Sequence, residues 1–166
     1  MKDLLSVLGM IVVAIVVGGV LYFFGPTLSR TLLNHPGENL SFTVIDSGGV
    51  AVDMDHRANV RLQNADDLQR LWSQVYGADA PAPDIDFNKY DVFAVFEGSH
   101  STSGYGIKIS AVYESNGMRS VQVLRTVPGP SCTTASQITS PFQMIRISKT
   151  DLEYSVTDTT ETTTCP

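Results

Sequence analysis

The residues of this chain best equipped for chemistry form one short run: Gly98, Ser99, His100, Ser101, Thr102, Ser103, Gly104 and Tyr105. Hydroxyls flanking an imidazole are the raw material of a hydrolase, with serine as nucleophile and histidine as base. That chemistry needs the base within hydrogen-bond reach of the nucleophile and a third group to orient the base. Adjacency in sequence supplies neither, and the chain has no Gly-x-Ser-x-Gly elbow. The run reads instead as a polar, glycine-bracketed loop that presents a surface to a partner, as loops on a rigid scaffold commonly do. Asp53, Asp55 and His56 are a second cluster, but a metal site needs further ligands at defined geometry, and none stands nearby. They read as a solvated turn, so neither a metal nor any other cofactor is expected. Cys132 and Cys165 are the only cysteines. Against the alternative of two unrelated thiols, they predict a disulfide and hence an oxidising compartment.

The elements that hold the polar run are strands. Residues 92–96 (VFAVF) are a continuous apolar run, β-branched and aromatic, which suits a strand buried on both faces. Beyond the loop the pattern alternates, with Tyr105, Ile107, Ile109 and Ala111 on one face and Lys108 and Ser110 on the other. Strands are also predicted at residues 40–46, 50–52 (a weaker one), 60–62, 120–127, 142–148 and 152–156. Asn116-Gly117 marks a hairpin after the strand that follows the loop. Residues 149–151 turn the chain into the last strand, which the threonine-rich tail could prolong. One helix stands out. Asn64 caps it, Asp66 and Asp67 place negative charge in its first turn, and Gly77 ends it. Leu68, Leu71, Trp72 and Val75 form its apolar stripe, with Trp72 as packing anchor. The expected fold is mainly β with one packed helix, an antiparallel β-sandwich or an open barrel.

Residues 4–25 carry no charge over 22 positions and are mostly aliphatic. About 20 such residues span a bilayer, and Tyr22, Phe23 and Phe24 suit its interface. The run is longer than a signal-peptide core of about 7–15 residues and no A-x-A site follows it. The expected organisation is a transmembrane anchor (1–26), a linker (27–39) and an extracytoplasmic β-rich domain (40–166). Lys2 and the terminal amine lean towards an N-terminus inside the inner membrane, with the domain in the periplasm or outside the cell. A net charge of −6 and the lack of a basic patch argue against nucleic acid as a partner.

A series of short motifs adds a resemblance. Leu68, Leu71 and Trp72 end a helix, and Asp86-Phe87 precede a hydrophobic strand. Gly98, Thr102, Gly104, Tyr105 and Ile107 follow; then Val121 and Val123, Pro128-Gly129-Pro130, and Pro141-Phe142 opening a strand. Over residues 64–154 this resembles the C-terminal domain of PrcB-type protease-complex subunits. The resemblance implies a non-catalytic accessory that stabilises or regulates a protease complex outside the cytoplasm. One departure is the missing lipobox cysteine, in whose place stands the apolar segment. Two other readings stay open: a small-ligand-binding envelope protein, and a hydrolase using His100 with a neighbouring serine.

Overall fold

Val92 to Phe96 form the middle of the fold because both of their faces are buried. The computed structural model describes residues 37–165, so the predicted membrane segment and most of the predicted linker lie outside the described residues. Among those described, no helix is long and apolar enough to cross a membrane. Eight strands and one helix follow in order: β1 (Glu38–Asn39), β2 (Phe42–Gly48), β3 (Ala58–Leu62), α1 (Ala65–Tyr76), β4 (Tyr90–Phe96), β5 (Gly106–Ser115), β6 (Met118–Pro128), β7 (Phe142–Ser148) and β8 (Glu153–Thr163). They make two four-stranded sheets, ordered β1-β5-β6-β8 and β2-β7-β4-β3.

The period of two along β4 explains the layering. Val92, Ala94 and Phe96 face one core, shared with Leu68, Leu71 and Val75 of α1. Phe93 and Val95 face a second core, shared with Ile109, Val112, Val121 and Val123 of the other sheet. The described domain is therefore a sandwich backed by a helix, not a barrel. α1 has the predicted caps: the Asn64 side chain accepts from the Asp67 N–H at 2.9 Å, and Gly77 takes φ 97°. The Asn64 hydrogen bond, then Arg70, hold the Asp67 carboxyl below its usual range. Leu68, Leu71 and Val75 are buried, each contributing about 1.5–3 kcal/mol by its removal from water. Trp72 is only half-buried and leans on Tyr76, ring centroids 4.8 Å apart. Asn116 and Gly117 both have positive φ, the two-residue turn that joins β5 to β6.

Four expectations are corrected. The linker ends sooner than residue 39, because Glu38 and Asn39 pair with Glu114 and Tyr113 of β5. Residues 50–52 are not a strand. Ala51 N–H donates to Ser140, but the next N–H, of Val52, donates to Val75 at the end of α1, so no ladder can propagate. A register shift between Ile109 and Ala111 moves the inward face of β5 from Ala111 to Val112. Finally, the sheets are not wholly antiparallel: β8 runs parallel to β6. A hairpin from β7 to β8 would need a free edge on β7, and β2 and β4 already occupy both.

Candidate functional site

The polar loop is built outward from a buried carboxylate that the sequence reading missed. Asp91, Phe93, Val95 and Glu97 share the inward parity of β4, so the strand carries an acid at each end of its apolar centre. Glu97 is 3% exposed. Arg125 holds it from β6, its Nε donating to Oε2 at 2.7 Å and its Nη2 to Oε1. Arg57 adds a longer contact to Oε1 at 3.3 Å. Isolated, a buried carboxylate would cost several kcal/mol; paired in two-pronged fashion with a guanidinium it is tolerated. A matching cluster closes the other end. Asp91 accepts from Arg61 at 2.7 Å, and Arg119 of β6 donates to Tyr154 and Glu114. Burial pushes the Tyr154 phenol up.

From Glu97 the chain reverses at Gly98, φ 86°, where a Cβ would lie 3.0 Å from backbone atoms of Asp55 and Arg57. Only glycine fits there. The loop is then fastened by backbone. Ser99 N–H donates to Asp55, and His100 and Thr139 exchange both bonds at 2.8 and 2.9 Å. Ser103 N–H donates to Ala135, whose own N–H donates to Ser103 Oγ at 2.9 Å, and Thr139 Oγ1 donates to Thr102. Gly104, φ 100°, sits against Pro128. Two segments distant in sequence, 53–57 and 129–140, thus brace the loop. Ser99, Ser101 and Gly104 remain exposed, beside the 71% exposed Ile138 of the bracing segment.

His100 is the hinge of this arrangement. Its Nε2 lies 3.2 Å from Glu97 Oε1, and its ring stacks on Tyr105 with centroids 3.6 Å apart and planes 4° from parallel. Glu97 is the orienting carboxylate that the sequence did not reveal, three residues before the histidine. The nucleophile is what the geometry lacks: among the described residues no serine hydroxyl bonds the His100 ring, and Ser103 Oγ is engaged with Ala135. The ring is a strut between a buried acid and an aromatic face.

Elsewhere, the predicted cysteine pair is joined as a disulfide, Cys132 to Cys165, with Cα atoms 5.0 Å apart. Asp53, Asp55 and His56 are exposed around a recess of about 280 Å³, and no three-ligand cluster occurs among the described residues. A second recess, of about 290 Å³, lies beside Tyr90 and Arg146. Both fall at the lower limit of ligand pockets, roughly 300 Å³. Arg125 and Arg119 were legible in principle. They share parity with Val121 and Val123 on an alternating strand, which places both charges on the buried face.

Comparison with known proteins adds one finding. Residues 92–148 match the family model described as PrcB C-terminal. The match runs from β4 to β7 and contains the polar loop, Glu97, Arg125 and the bracing segment; α1 and β8 lie outside it. Searches of the curated proteins and of the solved structures returned no match.

Proposed function

We propose that this PrcB C-terminal-like domain is a non-catalytic protein-binding module, an accessory subunit that stabilises or regulates a protease complex. In this reading the loop of residues 98–105 meets the partner. The observation that carries it is the bracing of that loop: a buried Glu97–Arg125 pair beneath it, the His100–Thr139 bridge beside it, and small exposed hydroxyls at Ser99 and Ser101. A surface ordered before binding loses little conformational freedom on association, which favours recognition. Residues 4–25 supply the anchor in this proposal, and the disulfide suits an extracytoplasmic side of the membrane.

The test is crosslinking in intact membranes followed by capture of the full-length chain. Ser99→Arg and Ser101→Arg put bulk on exposed positions and should leave the melting temperature unchanged while the captured protein is lost. Undiminished capture by both variants overturns the loop assignment. A hydrolytic turnover that disappears in His100→Ala overturns the non-catalytic reading.

A further inference from the structure

β8 is a long strand held in place by almost nothing apolar. It spans Glu153–Thr163, aligned with β6 over its full length, yet only Tyr154 and Ser155 are even half-buried. Beyond Val156 the side chains are threonine, aspartate and glutamate, all exposed. Such a segment has little hydrophobic reason to dock, and chain ends of this kind usually fray. Here the far end is clamped: Gly129 N–H donates to Thr163, Ser131 Oγ donates to Cys165, and Cys165 is covalently tied to Cys132. The clamp holds the end of a strand that is in unbroken register with β6 and whose outer edge pairs with no other described strand.

The contrast with the other three edges is informative. β1 is two residues long, β2 is interrupted by a bulge between Val44 and Asp46, and β3 is five residues long with Arg61 turned inwards to Asp91. Short length, bulges and inward charges are the devices by which proteins blunt sheet edges. β8 has no proline, no lysine and no register shift over eleven residues, and its only protection is the acidic charge of Glu153, Asp158 and Glu161, which repels like strands but not a cationic one. An edge of that kind is a template for adding a strand.

Charge selects the occupant. The charged residues of β8 are Glu153, Asp158 and Glu161, and no Lys or Arg follows Lys149. A second copy paired antiparallel about the strand centre would set Asp158 against Asp158, a directly opposed like pair, which is destabilising. We propose that the outer edge of β8 is a strand-addition site for an extended, cationic segment of a different protein, with Lys or Arg at alternate positions. The site goes beyond the loop of residues 98–105 and does not rest on it. The far end of β8 is nevertheless near the loop, because Thr163 pairs with Pro128, which lies beside Gly104.

Hydrogen–deuterium exchange of the full-length oxidised chain in detergent micelles tests this, with a blocked (Thr-Lys)5 peptide as probe and (Thr-Glu)5 as its counterpart. The cationic peptide should slow exchange within residues 153–163, bind at least tenfold tighter than the acidic one at low salt, and lose that advantage in Asp158→Lys/Glu161→Lys. Because adjacent residues of a strand point their N–H groups to opposite sides, one of Thr159→Pro and Thr160→Pro removes only an outward donor. That variant should keep the parent melting temperature and lose the peptide. Equal binding of both peptides, protection confined to other segments, or self-association of the chain through residues 153–163 would each overturn the proposal. Capture through the loop of residues 98–105 can fail or succeed independently of every one of these readouts.

Discussion

Glu97→Gln removes one charge at almost constant volume and so isolates the pair beneath the loop. The Glu97 side chain is 1% exposed and that of Arg125 10%, whereas Arg57 is 48% exposed and can turn to water. The cost is therefore that of stranding Arg125. Removing one partner of a buried pair costs about 3–5 kcal/mol, and the retained amide oxygen argues for the lower end, ~3 kcal/mol. For a domain of roughly 130 residues, each kcal/mol moves the midpoint by about 3–5 °C, so a fall of ~9–15 °C is expected. Thermal and urea denaturation of the full-length protein in micelles measure it. The control is Glu97→Leu with Arg125→Met, which takes away both charges and should recover most of the loss, since neither new side chain needs a partner. Amide exchange at His100 and Thr139 should quicken in the single variant, because the ring loses its charged anchor. A Glu97→Gln midpoint within ~2 °C of the parent would refute the claim that this pair supports the loop.

Leu68→Ala should cost about 3 kcal/mol, because its side chain is fully enclosed between α1 and the sheet, while half-buried Trp72→Ala should cost only ~2 kcal/mol; urea denaturation that ranks them the other way contradicts the packing described. Cys132→Ser opens a link between residues 33 apart in sequence, worth ~3.8 kcal/mol in the chain-entropy model. Proteolysis should then cut first within residues 157–165, and an unaltered cleavage pattern would mean that the ladder alone holds β8. Burial, then the hydrogen bond to Asp46, push the Tyr76 phenol well above its ordinary value of 10.0. A raised phenol stabilises the fold fully below pH 10 and loses that contribution as pH rises towards the folded value. Tyr76→Phe should therefore flatten the fall in melting temperature above pH 10, and parallel curves for the two proteins would exclude the effect.

Short-range patterns in the sequence determined the parts of this protein whose causes are local. Asn64, Asp67 and Gly77 delimit α1 because a helix must satisfy its own terminal groups within one turn. Asn116-Gly117 dictates its turn because both positions need positive φ. The two-sided burial of β4 was legible in the apolar run of residues 92–96, and the pairing of Cys132 with Cys165 followed from there being no third cysteine. The polar loop was visible as a loop, but what supports it was not. Glu97 and Arg125 are 28 residues apart, and nothing local says that two charges on inward-facing parity will meet. Tertiary structure alone decided that meeting, the bulge that exchanged Ala111 for Val112, and the crossing of β8 to a parallel place beside β6. Each depends on which strand edges are already occupied and on which charges find a partner once water is gone, and those are properties of the assembled sheets, not of any window along the chain.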